Sequence, residues 1–105
     1  MEEQRYGRQM MGPEAAKLAQ LTDDVLFGDI WERKELSKRD RSIVTVAALV
    51  ALVRPDQLPG HLERAINNGV RRSELAEIIT HLAFYAGWPA AHSAIRLLDA
   101  MPDKA

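Results

Sequence analysis

The sequence predicts an all-α, single-domain bundle of about five helices over residues 1–105, on three observations. Apolar residues recur three or four apart, the spacing of one helix face, rather than alternating as in a half-buried strand. Glycine and proline divide the chain into segments of helix length. A length of 105 residues with 47% apolar content makes one domain with enough material for a core.

Gly12-Pro13 opens the first helix: proline suits the first helical position, and Ala15, Leu18, Ala19 and Leu21 follow at helical spacing. It ends before Gly28. The stretch Phe27 to Arg33 reads as an irregular connector carrying one aromatic anchor, Trp31. Ser37 is the expected N-cap of the second helix, with Asp40 three residues on as a variant of the capping box. Ile43, Val44, Val46, Ala47, Val50, Ala51 and Val53 then leave little polar surface. The valines alone would allow a buried strand; the length, the alanines and the cap decide for a helix. A helix apolar nearly all round must be covered nearly all round, which short neighbours hardly achieve, so a partner subunit is expected.

Arg54-Pro55-Asp56 breaks that helix. Leu58, Leu62, Ala65 and Ile66 mark the stripe of the third, which Asn67-Asn68-Gly69 closes with a residue able to turn left-handed. Ser73 is the expected cap of the fourth, with Leu75, Ile78, Ile79, Leu82 and Ala86 as its stripe. Gly87 ends it, and Pro89 starts a fifth that runs to roughly Asp99. The tail from Pro102 to Ala105 is expected to fray.

Composition excludes several functions. A net charge of −1, without a basic stripe, gives no electrostatic reason to expect nucleic acid or an anionic membrane as partner. No cysteine occurs, so disulfides, zinc–thiolate sites, iron–sulfur clusters and thiol nucleophiles are excluded. The run Met1-Glu2-Glu3-Gln4-Arg5 lacks the basic and then apolar regions of a signal peptide. The longest apolar stretch, Ile43 to Val53, is too short to span a bilayer. A soluble cytoplasmic protein is expected.

Chemistry is left to the histidines and their neighbours. His61 borders the stripe of the third helix. Glu77, His81 and Tyr85 stand at successive i, i+4 positions in one row of the fourth, where a carboxylate one turn from an imidazole can orient it. The short turn Gly69 to Arg72 suggests that these two helices run antiparallel, bringing both histidines to one pocket. A histidine at the edge of an apolar stripe is also the ordinary place for a hydrogen-bonded boundary residue. His92 reads as a surface residue. No pair has metal-ligand spacing, so no metal is expected. Arg39 and Arg41, followed by Ser42, lie in the first turn of the second helix, where cations oppose the helix dipole. They read as anchors for an anionic ligand or as salt-bridge partners, Glu32 being one candidate counter-charge. Trp31 and Trp88 read as packing or interface anchors.

The order Gly28-Asp29-Ile30-Trp31-Glu32-Arg33, Leu36-Ser37, Arg39-Asp40-Arg41-Ser42 and Val44-Thr45-Val46-Ala47 resembles the carboxymuconolactone decarboxylase family. The likeness continues through Leu58, His61-Leu62, Ala65, Asn67-Asn68-Gly69-Val70, Glu74, Glu77, Ile78 and Tyr85 to Ala91, covering residues 27–98. It implies an alkyl hydroperoxidase D-like helical fold and a homo-oligomer, a hexamer built as a trimer of dimers. The family's peroxidases carry Cys-x-x-Cys-x-x-x-His. Here the histidine matches His61, while the cysteine positions fall on Arg54 and Gln57 and the peroxidases' relay glutamate falls on Ser42. Thiol peroxidase chemistry is therefore excluded.

The resemblance is instead to the decarboxylase branch, whose reaction in aromatic-acid degradation converts 4-carboxymuconolactone into 3-oxoadipate enol-lactone and carbon dioxide without a cofactor. It implies a small carboxylate or lactone substrate. On that reading His61 donates the proton, Arg39 or Arg41 anchors a carboxylate, His81 or Tyr85 is the electrostatic partner, and Ser42 and Glu32 complete the binding set. The segment before Gly28 is shorter than is usual in the family, a departure expected to open the pocket, alter the oligomer or remove activity. A non-catalytic oligomeric ligand-binding or accessory subunit is the alternative on the same scaffold.

Overall fold

The structure, a computed structural model, describes residues 6–102. Met1 to Arg5, on which the signal-peptide reading rests, and Asp103 to Ala105 of the tail expected to fray lie outside the described residues. All regular structure among the described residues is helical. The chain divides into two compact units, Met1–Lys38 and Arg39–Ala105.

In the first unit, α1 (Tyr6–Met10) precedes a 3-10 turn at Pro13–Ala15, α2 (Ala16–Gln20), wider π-helical turns over Leu21–Phe27 and a second 3-10 turn at Ile30–Glu32. The helical run ends at Gly28, as expected, but the single regular helix predicted from Pro13 is broken into three geometries. Its inward face also differs from the predicted stripe: Ala19, Asp23 and Phe27 are buried, while Leu18 and Leu21 are exposed. The buried Asp23 carboxylate explains the shift. It accepts the backbone N–H of Gly7 (2.5 Å), that of Arg8 (3.0 Å) and the Arg8 guanidinium (2.9 Å), so α1 and the π-helical turns are joined through one satisfied charge. Gly7 is required there, because a Cβ would lie 2.5 Å from the carbonyl oxygen of Ala19. Trp31 is buried with its ring centroid 6.1 Å from that of Phe27, the packing role read from the sequence.

The second unit holds the core. It is formed by α3 (Lys38–Ala51, all but its first residue), α4 (Leu58–Asn67), α5 (Arg72–Ala86) and α6 (Trp88–Ala100). Leu62, Leu75, Ile79, Val46 and Val50 are almost wholly buried in one cluster with Leu58, Ala65, Val70, Ala94 and Leu98. Each large side chain so buried contributes roughly 1.5–3 kcal/mol. The start of α5 differs from expectation. Arg71, not Ser73, is the N-cap, because Glu74 reaches back from the third helical position to accept the Arg71 N–H at 2.9 Å. Gly87 separates α5 from α6 as predicted, and Pro89 lies in the first turn of α6, which starts one residue earlier at Trp88.

The ends of α3 and α4 share one geometry with different residues. After α4, Gly69 N–H reaches Ile66 O (3.0 Å) and Val70 N–H reaches Ala65 O (2.9 Å), with Gly69 at φ +101°. After α3, Val53 N–H reaches Val50 O (3.2 Å) and Arg54 N–H reaches Leu49 O (2.9 Å), with Val53 at φ 55°. Both are Schellman closures, normally completed by glycine. A β-branched residue in the left-handed region costs about 1–2 kcal/mol, less than one well-buried core leucine returns. Replacing Val53 with Gly should therefore hold or raise stability by up to about 1 kcal/mol, and Gly69→Val should lower it. Urea unfolding of the two variants checks both signs; a clear loss in Val53→Gly would contradict the strain argument.

Candidate active site

Helical spacing carries residues of α3 and α5 to a common wall. Arg39, Ile43 and Ala47 are successive i, i+4 positions of α3, while Glu74, Glu77, Ile78, His81 and Leu82 share one side of α5. Together they line an open cleft of about 470 Å³. Arg39, Glu74, Glu77 and His81 supply its ionisable groups, and Ile43, Ala47, Ile78 and Leu82 its apolar surface. Such a division suits a small ligand with a charged end and a compact apolar body.

Arg39 is held firmly. Its Nη2 donates to Glu74 Oε2 at 2.5 Å and its Nε to the Gly69 carbonyl at 3.3 Å, so the turn after α4 and the first turn of α5 both grip the guanidinium. Asp40 lies 3.9 Å from Nη1. The Arg71 amide and then the Arg39 guanidinium hold the Glu74 carboxyl below its ordinary range, against the opposing effect of its own desolvation. Across the cleft His81 is exposed, with its ring stacked on Tyr85 at a centroid distance of 4.9 Å and an interplanar angle of 28°. Glu77 stands one turn before it, as the i, i+4 row predicts. Tyr85 is 78% exposed and supports the imidazole without lining the cleft.

The other predicted site residues stand elsewhere. His61 is half-buried on α4 and is not among the residues lining this cleft. The short turn after α4 does not bring the two histidines into it, because α4 packs on α6 whereas the His81 row meets α3. Burial, and secondarily the nearby Arg64, push the His61 pKa down, favouring its neutral form. Ser42 is fully buried and accepts a hydrogen bond from Asn68 Nδ2 at 3.0 Å, tying α3 to the end of α4. Arg41 is half-buried and is not among the residues lining the cleft; its carbonyl accepts the Thr45 hydroxyl at 2.8 Å. Glu32 is exposed in the first unit and pairs with Lys38 at 2.8 Å.

Sequence reasoning gave Glu74 no part in the site. The local signal was present, a glutamate three residues after a chain turn, but its pairing with a residue 35 positions away was not. A second, smaller cavity of about 200 Å³ lies between α5 and α6, lined by Thr80, Trp88, His92 and aliphatic side chains. His92 is exposed there, in keeping with its surface reading. Among the described residues no group of three or more histidines and carboxylates is arranged to hold a metal ion, and no helix is long and apolar enough to cross a membrane.

Residues 16–100 match the Carboxymuconolactone decarboxylase family. The chain is similar to the 4-carboxymuconolactone decarboxylase of Acinetobacter baylyi, with 44% identity over 73 residues, covering 70% of this chain and 54% of that protein. It is also similar to a nitrosuccinic acid decarboxylase of Metarhizium robertsii, with 30% identity over 89 residues, covering 81% of this chain and 62% of that protein. The chain thus spans less than two thirds of the length of either relative.

The depressed His61 pKa makes a stability prediction. Unfolded histidine takes up a proton near pH 6.5, whereas the folded imidazole resists protonation until lower pH, so unfolding free energy should fall as pH drops below about 6.5. The contribution is complete above that pH and is lost as pH falls through the folded value. Urea melts from about pH 8 to 5 should show this slope, and His61→Gln should flatten it. An unchanged slope would remove His61 as its source.

Proposed function

This chain belongs to the carboxymuconolactone decarboxylase family, and on that premise we propose that it removes carbon dioxide from a small carboxylated lactone, 4-carboxymuconolactone or a close analogue. The observation that carries the reading is the meeting of Arg39 and His81 in one cleft whose apolar wall is Ile43, Ala47, Ile78 and Leu82. The reaction breaks one carbon–carboxylate bond. Its electron pair enters the unsaturated lactone and develops charge on the ring carbonyl oxygen, so the substrate is its own electron sink and no cofactor is required. A proton delivered to carbon then completes the enol-lactone product.

Arg39 anchors a substrate carboxylate through its remaining guanidinium donors, and the cation also favours the developing anion. His81, exposed to the cleft and steadied by Tyr85, delivers the proton as the general acid. The apolar side chains of Ile43, Ala47, Ile78 and Leu82 seat the ring and limit water near the forming charge. His61 stands outside the lining and its neutral form is the poorer acid, so the geometry favours His81 for the role first expected of His61. Ser42 acts on this reading through the frame of the cleft, by tying α3 to the end of α4, while Arg41 and Glu32 are given no part in the reaction.

The same reading includes a cytoplasmic homo-oligomer, a hexamer of three dimers, working in aromatic-acid breakdown. Supporting assembly, Val44, Ala48 and Leu52 form an exposed apolar line along and just past α3, and Phe84, Tyr85 and Trp88 are largely exposed around the end of α5.

Release of carbon dioxide from freshly generated 4-carboxymuconolactone is the test. Arg39→Ala should lower kcat/KM roughly 10- to 100-fold, the size of one lost charge-assisted hydrogen bond. His81→Ala should lower kcat roughly 100-fold or more, while His61→Ala should retain most activity. A fully active His81→Ala with an inactive His61→Ala would return the proton donor to α4. Sedimentation at micromolar concentration should show an oligomer, and a stable monomer would contradict the assembly.

A further inference from the structure

We propose that Glu74 is a positioning residue for the anion anchor: it fixes the Arg39 guanidinium on the cleft wall so that its free donors meet the substrate carboxylate. The inference rests on the decarboxylase reading of the cleft and assigns that cleft a residue outside the binding set first expected.

Three observations carry it. The Glu74 carboxylate is fixed by its own helix, since Oε1 accepts the Arg71 amide at 2.9 Å while Oε2 takes Arg39 Nη2 at 2.5 Å. Arg39 is gripped at a second point by the Gly69 carbonyl, 3.3 Å from Nε. Both Arg39 and Glu74 line the same cleft. A guanidinium is a flat fork of five N–H donors, so clamping Nε and one Nη2 proton sets its plane. The Nη1 protons and the second Nη2 proton are then directed as one unit, with Asp40 3.9 Å away, beyond hydrogen-bond reach. A long arginine side chain otherwise loses considerable rotamer freedom on binding a ligand. Glu74 imposes that order before substrate arrives. Its carboxyl, held below the usual range by the amide and the guanidinium, stays ionised through neutral and mildly acidic conditions.

A purely structural latch between α3 and α5 would use the same contacts, and the two roles separate in a double-mutant cycle. Glu74→Gln keeps an oxygen for the Arg71 amide and removes the charge that orders Arg39. It should raise KM roughly tenfold, with kcat within about twofold of the parent. In an Arg39→Ala background the same change should have no further effect on KM. Glu74→Asp, which keeps the charge but withdraws it by one methylene, is the second variant should Glu74→Gln not fold. It too should raise KM only when Arg39 is present.

Carbon dioxide release is measured for the four proteins, with helical content and thermal melting as controls. Arg39→Ala with unchanged kinetics would overturn the anchor, and this inference with it. Arg39→Ala impaired beside a kinetically normal Glu74→Gln would overturn the inference alone. An equal KM effect of Glu74→Gln with and without Arg39 would likewise make Glu74 a structural residue and overturn the positioning role.

Discussion

The Glu74 carboxylate serves two elements at once. Toward its own helix it accepts the Arg71 amide and sets where α5 begins; toward α3 it holds Arg39. Starting α5 at Arg72 fixes the rotation of everything after it, so Glu77, Ile78, His81 and Leu82 come to face the cleft while Leu75 and Ile79 enter the core. A start shifted by one residue would turn His81 about a quarter-turn away from α3. The Gly69 turn completes the arrangement, because its left-handed backbone closes α4 and offers its carbonyl to the same arginine. Fold and site chemistry therefore share one polar junction.

The apolar character of α3 has a second consequence. Val46 and Val50 satisfy the core and Ile43 and Ala47 floor the cleft, which leaves Val44, Ala48 and Leu52 exposed on the remaining side. The helix thus uses two of its faces within the second unit and retains an apolar third. That is the physical content of the expectation that it needs more cover than short helices provide. On the proposed function, assembly and catalysis draw on the same helix, so substitutions at Val44 and at Arg39 should be read against one another.

Much of the second unit was legible in the sequence. The stripes of α4 and α5, the glycine closures at Gly69 and Gly87 and the proline start at Pro89 all act within a few residues, where periodicity and turn chemistry report directly. The first unit was less so. There a buried aspartate took an inward position that hydrophobic patterning gives to leucine, and α1 is too short to show a period. Ser73 looked the better cap because serine caps through its own side chain, whereas Arg71 is served by a glutamate reaching back. In the site, Arg39 and the Glu77–His81–Tyr85 row were visible, but the separation of His61 from His81 was not. It follows from α4 packing on α6, a tertiary choice with no local signature. Val53 in the left-handed region was equally hidden, since strain of about 1–2 kcal/mol at this half-exposed residue is outweighed by the burial of Val50 and Leu58 on either side of the turn.

The central claim is that an anionic substrate is held in the cleft between α3 and α5. Backbone and arginine side-chain ¹H–¹⁵N spectra, recorded while a non-reactive carboxylated lactone is titrated into the protein, address it most directly. The account predicts saturable shifts centred on Arg39 Nε–H and the amides of Glu77, Ile78 and His81, weakened in Arg39→Ala. Shifts centred instead on the Trp88 indole and His92, in the cavity between α5 and α6, would place the site on the wrong side of α5 and contradict it.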